Sequence, residues 1–145
     1  MLLKNKNIGI KQPLFYQTTV VKIIEEHFLS LSELERNREN VYFFFISCNK
    51  VVACDWSQGT FNSCPVFDRE VLKVALLNNT ERIIMFHNHP SDVCTPSEED
   101  IKILEMLRAK LALFDIDIFS FIFDTNCQKI EEIKETNERE EIYLF

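Results

Sequence analysis

The sequence predicts an α/β (α+β) domain, with a central mixed β-sheet flanked by helices, on three observations. Short runs of branched and aromatic residues alternate with longer segments of helical apolar spacing. Polar clusters bearing Asn, Asp, Gly or Pro separate them. A hydrophobic content of 46%, with thirteen Phe, supplies a core for 145 residues, a length that buries roughly two-thirds of its unfolded surface. The expectation is one domain over 1–145, with no internal repeat or low-complexity tract.

After an N-terminal arm at 1–17, residues 18–29 (TTVVKIIEEHFL) place Val20 or Val21, Ile24 and Phe28 at helical spacing. The polar stretch 32–38 either extends that helix or connects it onward. Residues 41–47 (VYFFFIS) read as a buried strand. Cys48-Asn49-Lys50 reads as a turn, and 51–56 (VVACDW) as an antiparallel partner, with the pattern broken from Ser57 to Thr60. Asp68 is the expected N-cap of a helix REVLKVALLNN, ended by Asn78-Asn79. Residues 82–86 (RIIMF) form another buried strand, followed by the loop HNHPSDVCTP. A helix from Ser97 to about Leu113 carries Ile101, Leu104, Leu107 and Leu111 on one face. Residues 116–124 alternate as a strand, and 127–132 are its candidate partner. The tail 126–145 is otherwise unassigned.

Composition excludes several function classes. No apolar run approaches the ~20 residues of a membrane span, so no membrane contact is expected. The N-terminus lacks the apolar stretch and cleavage site of a signal peptide, which points to the cytoplasm. Net charge is −7, with acidic residues concentrated from Glu131 to Glu141 and no basic stripe. Such a chain is a poor general binder of phosphate backbones. Five Cys (Cys48, Cys54, Cys64, Cys94, Cys127) include no C-x-x-C pair, against both a disulfide framework and a four-cysteine zinc site. Cys94 lies between His89 and Asp100.

The chemistry concentrates at His87-Asn88-His89. Strand side chains alternate faces with period two. If extended geometry persists past the apolar strand, both imidazoles project from one side at its end. Asp100 follows in the first turn of the next helix, where a loop of that length folds its carboxylate back beside them. Two His and a carboxylate hold a divalent metal, most simply zinc, with a fourth position left for water. A different reading stays open for Asp100, because Ser97-x-x-Asp100 is close to a capping box. His27, on the first helix, reads as structural.

The string His87-Asn88-His89-Pro90-Ser91, then Pro96-Ser97 and Asp100, resembles the His-x-His, Ser, Asp signature of JAB/MPN (JAMM-type) metalloproteases. More narrowly it is similar to the RadC branch, bacterial proteins named for DNA repair. Gly59-Thr60, Arg69-Glu70, Ala75 and Asn78 resemble that branch in the same order. The resemblance covers about 37–125. It implies a cytidine-deaminase-like JAB/MPN architecture and a zinc ion on His87, His89 and Asp100, with a bound water as nucleophile. It further implies Glu39 as general base and Ser97 as the hydrogen-bond donor to the oxyanion. The implied substrate is a protein or peptide, and nucleic acid enters only through a repair partner. Glu39 also sits in a charge run with Glu33, Glu35 and Arg38, which is the ordinary signature of a solvated surface.

The chain departs from the branch at several places. Asp68 replaces a Pro, Asp92 a Gly, and Ser120-Phe121 an Asp-His pair. No helix-hairpin-helix region is expected upstream. The string His-Asn-His differs from an HNH nuclease, whose residues are spread over several elements. The signatures of zinc deaminases and of H-E-x-x-H proteases are missing. The rival expectation is a non-catalytic metal-binding interaction module in DNA metabolism.

Overall fold

The computed structural model describes residues 2–3, 13–61, 63, 65–127 and 129–133. Cys64, the rest of the N-terminal arm and the end of the tail, including Ile142-Tyr143-Leu144-Phe145, lie outside them. The described elements are β1 (Leu2–Leu3), α1 (Pro13–Ser30), α2 (Glu33–Arg36), β2 (Asn40–Ser47), β3 (Lys50–Gln58), α3 (Asp68–Leu77), β4 (Arg82–Asn88), α4 (Glu98–Ala112), β5 (Asp117–Phe123) and β6 (Ile130–Ile133). The strands form one six-stranded sheet in the order β1-β3-β2-β4-β5-β6. Only β4 and β5 run parallel, joined across α4, and every other neighbouring pair is antiparallel. The predicted mixed sheet flanked by helices is the observed architecture.

β2 is near-continuously apolar because both of its faces are covered. Val41, Phe43 and Phe45, with Ile83, Met85, Ile118 and Ile122 on neighbouring strands, pack under Leu104, Leu107 and Leu111 of α4 and Val71 and Ala75 of α3. On the opposite face Tyr42, Phe44, Ile46, Ile84 and Phe86 pack under Val20, Ile24 and Phe28 of α1. Full burial of each such aliphatic or aromatic side chain contributes about 1.5–3 kcal/mol. The two cores clamp the sheet and fix which side of every strand faces which helix.

Several boundaries move. α1 begins at Pro13 rather than residue 18, and a first-turn proline suits a helix start because its missing N–H has no intrahelical role. Residues 32–38 form neither an extension nor a plain connector. Ser32 caps the short α2, accepting from Glu35 N at 3.2 Å while the Glu35 carboxylate accepts from Ser32 N. Cys48 and Asn49 both take positive φ (51° and 63°), the backbone of a two-residue hairpin turn. The following strand runs on to Gln58 instead of breaking at Ser57.

Asp68 is not an N-cap. Phe67 occupies that position without a side-chain cap, and Asp68 is the first helical residue. Its carboxylate accepts from Arg69 N and pairs with Lys110 Nζ, which ties α3 to α4. An acidic residue in the first turn is favoured by the helix dipole whether or not it caps, so local sequence alone does not distinguish the two positions.

Candidate metal centre

The centre is built where β4 leaves the sheet. β4 extends through His87 and Asn88, beyond the apolar run RIIMF. Its alternation puts His87 on the α3/α4 side with Ile83 and Met85, and Asn88 on the α1 side with Ile84 and Phe86. His87 is buried, 4% exposed. His89 continues on the same side and is tied down by its own loop. Its Nδ1 lies 2.7 Å from the Val93 carbonyl. Since a carbonyl only accepts, Nδ1 donates to it, so in the neutral imidazole Nε2 is the nitrogen that carries the lone pair.

Asp100 arrives from the first turn of α4, and both sequence readings of it hold at once. Ser97 caps the helix, its Oγ accepting from Asp100 N at 3.1 Å, while Asp100 Oδ2 accepts from Ser97 N at 2.9 Å. The capping box thereby aims the same carboxylate at the histidines. The Nε2 atoms of His87 and His89 are 3.1 Å apart. His89 Nε2 lies 3.1 Å from Asp100 Oδ2, and His87 Nε2 lies 3.4 Å from Asp100 Oδ1. Ligand atoms bound to zinc at ~2.0–2.1 Å in tetrahedral geometry stand about 3.3 Å apart. The three donors fit one small divalent ion, and within the described residues they are the His/Cys/Asp/Glu group so arranged.

The electrostatics agree with that geometry. Burial works to raise the Asp100 carboxyl, yet hydrogen bonding to His87 and His89 outweighs it and holds the group below the ordinary carboxylate range. His89 is raised, chiefly by its hydrogen bond to Asp100, with burial opposing. An ionised carboxylate beside two convergent nitrogens is compatible with a bound cation.

Glu39 belongs to the same place, brought there by strand register. The β2–β4 ladder ends with Val41 opposite His87, and two further steps bring Glu39 alongside His89. Its backbone is fixed by bonds from Glu39 N to Thr60 O (2.7 Å) and from Gly59 N to Glu39 O (2.8 Å). Only 9% exposed, it differs from the solvated residues before it. Burial raises its carboxyl above the usual value, opposed by His87 and His89. Glu39 lines one small cavity with His87 and Asp100. It also lines an open cleft of about 260 Å³ with Phe61, His89, Pro90, Val93 and Ser97.

The departures are absorbed locally. Asp92 takes a positive φ of 63°, the conformation a Gly adopts freely. Its carboxylate accepts from Thr125 N at 2.8 Å and from the Thr125 hydroxyl, fastening the metal loop to the turn after β5. Phe121 stacks on Phe86 with centroids 5.0 Å apart, on the α1 side. Ser120 is fully buried, and its Oγ has no hydrogen-bond partner among the described residues. His27 stays away from the centre, bonded through Nδ1 to the Tyr42 hydroxyl (2.7 Å) and edge-on to Trp56. Cys94 packs in the core under α4.

Sequence reasoning missed Asn40 and Asn88, both fully buried. Their side chains bond across the back of the centre to the segment that leads into Glu39. The available signal was the alternation itself, which turns the middle residue of a His-x-His string on a strand, here Asn88, to the opposite face.

Comparison with known proteins bears on the family. The sequence is 38% identical over 94 residues to a UPF0758 protein of Photobacterium profundum, covering 63% of this chain and 42% of that protein. It is 40% identical over 93 residues to a UPF0758 protein of Vibrio atlanticus, with the same coverage. A UPF0758 protein of Pseudoalteromonas translucida is 45% identical over 64 residues, 44% of this chain and 29% of that one. The match thus spans less than half the length of these relatives. The pattern of the RadC-like JAB domain matches residues 17–128, a span that begins within α1 and includes β2 to β5. The chain belongs to the RadC-like JAB domain family.

Proposed function

We propose that the chain is a zinc-dependent metallohydrolase of peptidase or isopeptidase type, with His87, His89 and Asp100 as the metal ligands. The observation that carries this reading is the convergence of their donor atoms at 3.1–3.4 Å beside a buried Glu39. Bound zinc supplies Lewis acidity, bringing the pKa of a water toward ~7 and polarising the scissile carbonyl.

The chain's own residues do the rest. Glu39, raised by burial, accepts a proton from the attacking water and delivers it to the leaving amine nitrogen as the C–N bond breaks. Ser97 uses its Oγ as acceptor for Asp100 N, which leaves its hydroxyl proton for the oxyanion formed when water adds to the carbonyl carbon. The capping box holds Asp100 at a fixed rotamer, and the Val93 carbonyl holds the His89 tautomer. The cleft between Glu39 and Ser97, with Phe61, Pro90 and Val93 along it, suits a polypeptide chain.

The proposed substrate is therefore a protein or peptide. Any tie to DNA repair would run through a protein partner, since the net charge of −7 opposes direct backbone binding. Residence in the cytoplasm is part of the same proposal. No described helix is long and apolar enough to cross a membrane, and no disulfide joins the described cysteines.

The test is zinc content together with cleavage of a peptide and isopeptide panel by the parent and by Glu39→Gln. The expected result is one zinc per chain in both and cleavage by the parent alone. Zinc in both with no cleavage by either would leave the chain as a metal-binding interaction module and end the hydrolase reading.

A further inference from the structure

Asn88 sits between two proposed ligands and faces away from them. Its side chain is fully buried on the α1 side of the sheet, where an apolar residue would be the ordinary occupant. Its Oδ1 accepts from Asn40 N at 2.7 Å, and its Nδ2 donates to the carbonyls of Arg38 (3.1 Å) and Arg36 (3.4 Å). The pattern fixes the amide's orientation, because one end meets an N–H and the other meets two carbonyls.

Asn40, equally buried, completes the network. Its Nδ2 donates to Arg38 O (2.9 Å) and Glu35 O (3.1 Å), and its Oδ1 accepts from Trp56 Nε1 and Gln58 Nε2, both at 3.0 Å. The carbonyls so captured belong to the end of α2 and the turn after it, where a helix leaves acceptors without intrahelical donors. Glu39 follows that turn immediately. Its peptide is therefore held from behind by two amides and in front by Gly59 and Thr60. Buried polar groups are costly unless satisfied, and a fully bonded network of this kind rigidifies what it joins.

We propose that Asn88, acting with Asn40, is a positioning residue that locks the Glu39 segment to the ligand strand and so sets the carboxylate against the His87/His89/Asp100 centre. This rests on the reading of Glu39 as the base. One strand end then serves both partners of the reaction, its odd-numbered side chains holding the metal and its even-numbered one holding the base. A misplacement of about 1 Å in a catalytic group costs on the order of a hundredfold in rate, so the clamp acts on turnover rather than on metal binding.

The experiment compares zinc-loaded parent, Asn88→Ala, Glu39→Gln and the double variant. The expected result is one zinc per chain in Asn88→Ala, KM within about threefold of the parent, and kcat reduced at least about tenfold. In the Glu39→Gln background the same substitution should change kcat less than about twofold, because the positioned group is already gone. An unchanged kcat, or an equal loss in both backgrounds, overturns the proposal. Should Asn88→Ala not fold, Asn88→Asp is read by the same criteria, since it keeps the acceptor and removes both N–H donors.

If the parent cleaves nothing, the hydrolase reading falls, and the clamp is judged by amide hydrogen exchange. Faster exchange at Glu39 and Gly59 in Asn88→Ala, with Phe43 to Phe45 still protected, supports the clamp. Unchanged exchange at Glu39 and Gly59, or uniform loss along β2, overturns it.

Discussion

The two sides of the β2–β4 strand end have opposite chemistry within a few residues of sequence. On the α3/α4 side His87, His89 and Asp100 crowd possible metal-donor atoms within 3.1–3.4 Å of one another. On the α1 side Asn40 and Asn88 commit their amide groups to named partners. One side brings three possible metal donors together, while the other is a closed network of amide hydrogen bonds. Alternation with period two generates both from adjacent residues. Reactivity and rigidity are thereby kept back to back, so an isolated change on one side should leave the other readable.

The largest effect should come from emptying the reactive side. His87→Ala with His89→Ala is expected to take bound zinc from about one equivalent per chain to background by elemental analysis. Equal metal in parent and variant would remove the centre from the account. Glu39→Gln comes next, with zinc retained and kcat lower by roughly 10²–10⁴-fold. A simultaneous loss of zinc would show that Glu39 acts as a ligand rather than a base.

The pH dependence sharpens the contrast between empty and loaded states. His89 is raised above 6.5 in the metal-free fold. Its contribution to stability is present below ~6.5 and lost as pH rises through the raised value. Asp100 is lowered, so its contribution is present above its unfolded value and lost only in strong acid. Metal binding instead requires neutral imidazole, so zinc's stabilisation grows as pH rises. The gap in Tm between zinc-loaded and metal-free protein should widen from about pH 6 to about pH 8, across the ordinary histidine range. A gap that stays constant would argue against histidine ligation.

The smallest effect is expected at Asp92→Gly. The substitution relieves a positive φ (63°) and gives up two hydrogen bonds to Thr125. These oppose one another, so Tm should move by no more than about 2–4 °C with zinc content unchanged. Loss of zinc would show that the tether to Thr125 shapes the metal loop.

Much of the reactive side is legible in the sequence. Two histidines two apart after an apolar strand, and an aspartate opening the next helix, carry their own geometric meaning. The capping box that competes for Asp100 is the device that aims it. Glu39 is legible by resemblance alone, because its neighbours Glu33, Glu35 and Arg38 look like a solvated run. Asp68 is misplaced as a cap by local pattern, since an acidic residue opens a helix equally well one position later.

Local periodicity carries the order of β2 to β6 with α1, α3 and α4 between and around them, the apolar faces and the His-x-His spacing, but neither β1 nor the short α2. Tertiary structure alone decided that Glu39 stands beside His89 and that Asn88 reaches Arg36 and Arg38. Those placements depend on the β2–β4 register and on hydrogen bonds between residues some fifty positions apart. Pairing at that separation is set by how two cores clamp one sheet, and no local pattern encodes it.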